Sequence, residues 1–169
     1  MQINVAQLLK EPVGARRIYQ IDEPVAEGLA VRIKGEVILT HTSRGILAMG
    51  EFSTNVSGAC ARCLKDATAD VKFHMEDEYF PLNDIVTGSH QEVEPGEFTI
   101  GDDNILDMSE AIRQYVIMST PTKMLCRPEC PGICQVCGHD LSAGSCGHEH
   151  KKMDSRWEKL IQLEKESKV

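Results

Sequence analysis

Aromatic side chains make up 5% of the 169 residues, with a single tryptophan. That leaves little for stacking on unpaired bases and argues against sequence-specific reading of single-stranded nucleic acid. Long apolar runs are missing too: none approaches the roughly 20 residues of a membrane span. The opening stretch, MQINVAQLLKEPVGARR, lacks the basic start, apolar run and small-residue cleavage site of a secretory signal. A cytoplasmic protein without a membrane partner is therefore expected. Nucleophile constellations, a phosphate-cradling glycine loop and a zinc-protease helix motif are also lacking, which predicts a non-enzymatic protein with no small-molecule substrate. No internal repeat or low-complexity tract occurs. With 41% hydrophobic and 26% charged residues, the chain can build a modest core.

Basic residues vanish from one stretch. Between Glu76 and Asp103 lie nine of the 26 acidic residues and no Lys or Arg, leaving 17 acids against 18 bases elsewhere. The net charge of −8 thus resides in one acidic segment on a near-neutral body. It reads as a solvated loop, with a docking site for a basic partner as the alternative.

The periodicities give an α+β fold. Residues 1–80 form a β-rich body, an antiparallel and barrel-like sheet. Leu29, Val31, Ile33, Val37 and Leu39 alternate with Arg32 and Lys34 at period 2, and Gly35 suggests a bulge. Further strands are expected over 16–21, 46–56 and 67–73. Residues 81–104, rich in Pro, Gly and acids, read as an acidic loop. A helix packing on the body follows in 105–121, with Asp107 and Glu110 as a capping box. Met108, Ala111, Ile112, Tyr115 and Val116 make its apolar face, and Pro121 stops it. A Cys-rich segment spans 122–150, and a C-terminal amphipathic helix 151–169, with Trp157, Leu160 and Ile161 as its stripe.

Seven cysteines in a reducing compartment point to metal or redox chemistry before disulfides, and their odd number suits a disulfide framework poorly. Cys134-Gln-Val-Cys137-Gly138 has the two-residue spacing of a zinc knuckle, and Cys146-Gly-His148 can complete a tetrahedron. Four sulfur and nitrogen ligands with no open vertex make a structural site. Seven cysteines and His148 are enough for two ions. One partition puts Cys60, Cys63, Cys126 and Cys130 on the first ion and Cys134, Cys137, Cys146 and His148 on the second. Another groups Cys126, Cys130, Cys134 and Cys137 on one ion and leaves Cys60 and Cys63 free. The cofactor expected is one or two Zn2+ ions. His139 and His150 are substitutes for His148. Cys60-Ala-Arg62-Cys63 also has the spacing of a redox pair, but strands on both sides place it at a hairpin tip and not at a helix N-terminus.

The block Gly58-Ala-Cys60-Ala-Arg62-Cys63-Leu64 resembles the DUF177 or YceD family of large ribosomal RNA subunit accumulation proteins. The similarity runs on through Glu78-Tyr79, the predicted helix leading into Pro121, Leu125-Cys126, Cys130-Pro-Gly132-Ile-Cys134 and Cys137-Gly138, and ends at Asp154-Ser155-Arg156-Trp157. Relatives often carry Cys-x-Cys where this chain has Cys146-Gly-His148. The ligand count is kept, which favours His148 over His150. The resemblance implies a role in the synthesis, processing or accumulation of large-subunit ribosomal RNA. It also implies a scaffolding metal, since some members lack most of the later cysteines. Partners would be precursor RNA of the large subunit or a ribosomal protein. RNA affinity needs Lys and Arg against phosphates. The candidate patches are Lys10, Arg16 and Arg17; Arg32 and Lys34; Arg62 and Lys65; and Lys151, Lys152, Arg156 and Lys159, the last group the densest. Two other functions fit the same residues: an acidic adaptor holding a basic ribosomal protein, and a zinc or thiol sensor at Cys60 and Cys63.

Overall fold

The computed structural model describes residues 1–24, 30–83 and 88–148. Along the chain come β1 (Gln2–Asn4), a 3-10 turn (Leu8–Lys10), β2 (Arg16–Pro24), β3 (Ala30–His41), β4 (Ile46–Ala59), β5 (Asp66–Pro81), β6 (Phe98–Ile100), β7 (Ile105–Asp107) and α1 (Ser109–Ser119). β2 to β5 make an antiparallel meander, and β6 joins β5 in parallel, so the sheet order is β2-β3-β4-β5-β6. β1 and β7 pair separately as a two-stranded antiparallel ribbon.

Alternation sets the sheet's two faces. In β4, Ile46, Ala48, Phe52 and Val56 are buried while Glu51 and Asn55 are exposed. Ile33, Val37 and Leu39 of β3 and Val71, Phe73, Met75 and Tyr79 of β5 bury the same face, with Arg32 and Lys34 on the other. Val5, Leu8, Leu9, Leu106, Met108, Ala111, Ile112 and Val116 cover that face in one continuous core. The few aromatics are concentrated inside it. Phe52, Phe73 and Tyr115 stack in series, with ring centroids 5.5 and 6.0 Å apart, and Tyr79 stacks on Phe98 at 5.3 Å.

Several expectations change. The sheet is antiparallel over most of its width but open, not a barrel. Its order ends at β2 and β6, and no pairing among the described residues joins those edges. A barrel buries its inner face against itself; here the β1–β7 ribbon, the 3-10 turn and α1 cover that face instead. The irregularity in β3 lies between Ala30 and Ile33, while Gly35 pairs in register with Phe52. Residues 81–104 are not all loop, because Phe98–Ile100 extends the sheet.

The capping box does not form. Gln2 pairs with Asp107 across the ribbon, which draws Asp107 into β7 and leaves Met108 at the N-cap. Asp107 still accepts the Ser109 N–H at 2.8 Å, and Glu110 pairs with Arg113 at 2.7 Å. The helix stops at Ser119, with Thr120 extended before Pro121. Leu29 and the predicted C-terminal helix, with Trp157, Leu160 and Ile161, lie outside the described residues.

Two candidate metal centres

β4 and β5 are paired up to the last residue of β4 and the first of β5, Ala59 against Asp66, so residues 60–65 form a hairpin tip. Within it Cys60 N–H donates to the Lys65 carbonyl at 2.7 Å and Leu64 N–H to the Cys60 carbonyl at 2.9 Å. The chain returning from α1 is held alongside. Ala61 N–H donates to the Met124 carbonyl at 2.8 Å, and the Arg62 guanidinium donates to the carbonyls of Cys130 at 2.9 Å and Pro128 at 3.3 Å.

These contacts bring Cys60, Cys63, Cys126 and Cys130 together, their sulfurs all within 4.8 Å of one another. Cys60 and Cys130 are 3.8 Å apart and Cys63 and Cys126 3.7 Å. Four sulfurs about 2.3 Å from one ion at tetrahedral angles would be about 3.8 Å apart. Cys60, Cys63 and Cys130 are buried and Cys126 is exposed.

The second group is Cys134, Cys137, Cys146 and His148, again within 4.8 Å of one another. His148 Nδ1 lies 3.4 Å from Cys146 Sγ and 3.9 Å from Cys134 Sγ. Those separations bracket the roughly 3.6 Å edge expected of a nitrogen and a sulfur on one tetrahedral zinc. His139 offers its carbonyl to Cys134 N–H at 2.8 Å, and His150 lies outside the described residues. Each group has the ligand number and spacing to hold one metal ion. The eight side chains fall into the first of the two partitions considered, not the one that leaves Cys60 and Cys63 free. None of the seven cysteines is in a disulfide.

Both groups are built on the same turn. In the first, Leu64 N–H donates to the Cys60 carbonyl, and Arg62 N–H points at Cys60 Sγ at 3.5 Å. In the second, Gly138 N–H donates to the Cys134 carbonyl at 2.9 Å, while Val136 and Cys137 N–H point at Cys134 Sγ at 3.3 and 3.4 Å. The residue after each pair is left-handed, Leu64 at φ 61° and Gly138 at φ 73°. Glycine adopts that conformation freely and leucine does not.

The backbone donors stabilise a thiolate at the first cysteine of each turn. The N–H groups of Cys126, Cys63 and Arg62, in that order, hold the Cys60 thiol down to about 6. Burial would raise Cys134, but the N–H groups of Cys137 and Val136 outweigh it and bring that thiol to about 6 as well. Cys126 is pushed up to about 12, first by its contact with Cys130 and then by desolvation.

Two expected RNA contacts have internal partners. Arg62 is engaged with the carbonyls of Pro128 and Cys130, and Lys65 forms an ion pair with Asp140. Lys151, Lys152, Arg156 and Lys159 lie outside the described residues. The Arg62 clamp and the Lys65–Asp140 pair escape a reading of the sequence, since each joins residues more than 60 positions apart without a local pattern. The left-handed Leu64 is detectable, because it occupies the place after a C-x-x-C that Gly138 fills in the second turn.

No helix among the described residues is long and apolar enough to cross a membrane. Proteins of Mycobacterium tuberculosis and Mycobacterium bovis, described as uncharacterised, are 28% identical to this chain over 172 residues, covering 96% of it and 81% of themselves. A Mycobacterium leprae protein, likewise described, is 27% identical over 124 residues, 72% of this chain and 54% of its own length. No solved structure matches. The family profile described as large ribosomal RNA subunit accumulation protein YceD matches residues 48–164. That span is more than half of the chain and includes both clusters and the hairpin that carries the first, so the chain belongs to the YceD family.

Proposed function

We propose that this protein is a non-enzymatic, zinc-binding factor of the cytoplasm that supports the synthesis, processing or accumulation of large-subunit ribosomal RNA. The observation that carries the reading is the family match over residues 48–164. Zn2+ is the ion proposed for both clusters. An all-sulfur tetrahedron suits zinc or iron, but three sulfurs and one imidazole in a closed site favour zinc. Each ion would tie together chain that has little apolar core of its own. Partners are precursor RNA of the large subunit or a ribosomal protein.

Sedimentation of the tagged protein from lysate, with sequencing of ultraviolet-crosslinked RNA from each fraction, tests the role. Co-migration with large-subunit precursors and crosslinks to their RNA are expected. Migration at the top of the gradient without RNA would overturn direct RNA contact.

The adaptor reading draws on a specific observation. Of the candidate RNA contacts, Arg62 and Lys65 are committed to Cys130, Pro128 and Asp140, and Arg17 and Arg32 are paired with Glu11 and Asp22, while Glu76 and Glu51 stand exposed on the open face of the sheet beside Lys34. In that case a basic ribosomal protein would co-purify and release with rising salt.

A further inference from the structure

The two clusters have equal ligand counts but unequal access. Three of the four residues in the first are buried, Cys60 at 0%, Cys130 at 1% and Cys63 at 6% exposure. In the second only Cys134 is buried, Cys146 is half-buried, and Cys137 and His148 are exposed. Among the described residues, the second ion can be approached past Cys137 and His148, whereas the first is open only at Cys126 and screened elsewhere by Ala67 and by Met124, Leu125 and Ile133 packed against it.

The second cluster is also seated on the first. Cys130 and Cys134 are separated by Pro131, Gly132 and Ile133, and Ile133 packs against the buried sulfurs of the first group. Gly132 lies so close to Arg62 that an added Cβ would stand 3.0 Å from the Arg62 carbonyl. From this footing the second loop is hung. Leu141 N–H donates to the Gly132 carbonyl at 3.1 Å, Ile133 bridges to Asp140, and Asp140 pairs with Lys65 of the hairpin tip. The second group spans only residues 134–148, so its loop closes at small entropic cost and can re-form quickly. The first joins residues up to 70 positions apart.

We propose that the second cluster is an exchangeable site for a soft divalent cation, seated on a first cluster that retains its ion. The reading of both clusters as metal sites is its premise. Affinity coupling between the sites is reciprocal, as linkage requires, but the release rates are not. Metal leaves Cys134, Cys137, Cys146 and His148 while the ion on Cys60, Cys63, Cys126 and Cys130 stays. Metal sensing, an alternative that the sequence places at Cys60 and Cys63, is assigned instead to the second cluster.

The experiment loads the full-length protein with cadmium-113 and follows its nuclear resonances during challenge with EDTA. An all-sulfur site and a site with one nitrogen resonate separately, which identifies the departing ion. The expected result is loss of the one-nitrogen resonance at least tenfold faster than the all-sulfur one. Lys65→Met keeps every ligand, and it should speed the fast phase severalfold and the slow phase less, since the Lys65 ammonium also faces Cys63 and Cys126. Loss of both resonances at one rate, or of the all-sulfur resonance first, would overturn the proposal while leaving two metal sites in place. A fast phase unmoved by Lys65→Met would remove the seating. Failure to bind cadmium or zinc at all would sink the premise instead.

Discussion

The two cysteine turns solve one geometric problem in opposite surroundings. The first, at residues 60–64, caps strands of 14 and 16 residues, and its position is set by a register of fourteen paired residues. The second, at residues 134–138, rests on turns and single bridges. Where a sheet fixes the turn, a leucine is tolerated in the left-handed position; where it does not, glycine fills it. A turn's sequence requirements therefore depend on what holds its ends, and a motif read without its scaffold underestimates what the scaffold can impose.

The largest break in this comparison comes from Cys130→Ser. It removes a buried ligand of the cluster that joins the hairpin to the chain after α1. We expect loss of the retained ion, a fall in Tm on the order of 10 °C and rapid proteolysis after α1, read by calorimetry and limited digestion. Cys137→Ser should cost much less. Its ligand is exposed and its loop local, so elemental analysis should find about one zinc per chain and the main unfolding transition should shift by only a few degrees.

Smaller effects sharpen the comparison at the left-handed residues. Gly138→Ala should destabilise by about 1 kcal/mol, since its φ is +73°. Leu64→Gly should instead stabilise by about 0.5 kcal/mol, because relief of a strained φ slightly exceeds the added entropy of the unfolded chain. Opposite signs in denaturant titrations would confirm that the sheet imposes the first turn. Equal losses would show that Leu64 has a packing role.

The smallest effect is a control remote from both clusters. Partial burial would raise the Asp107 carboxyl, but hydrogen bonds from Ser109 and Gln2 and the nearby terminal ammonium hold it at about 2. A depressed carboxylate stabilises the fold above its ordinary value of 3.8, and that contribution is lost as pH falls through about 2. Asp107→Asn should flatten stability against pH below 4 by about 0.3 kcal/mol, given its half-exposed side chain. Metal release should be unchanged.

Local patterns made much of this legible. The alternation of Ile33, Val37 and Leu39 and the helical spacing of Ala111, Ile112 and Val116 correspond to the buried faces, because each depends on near neighbours. The pairing of Gln2–Asn4 with Ile105–Asp107 and the parallel addition of Phe98–Ile100 leave no such trace. The first also explains the missing capping box, since a partner a hundred residues away claims Asp107. The grouping of the eight sulfur and nitrogen ligands could be proposed from spacing, but choosing between partitions required knowing that the hairpin tip meets residues 124–130.

One consequence concerns reach. β4 alone runs 14 residues without a break in its pairing to β5, about 45 Å at the usual rise of a strand. The cysteine-bearing tip is at one end of that arm, and the Tyr79–Phe98 stack, with Arg44 over Phe80, is at the other. A partner gripping both ends would meet a stiff ruler and not a flexible tether. The distance between its two points of contact would be set by strand length, a property that changing the surface chemistry at either end would not alter.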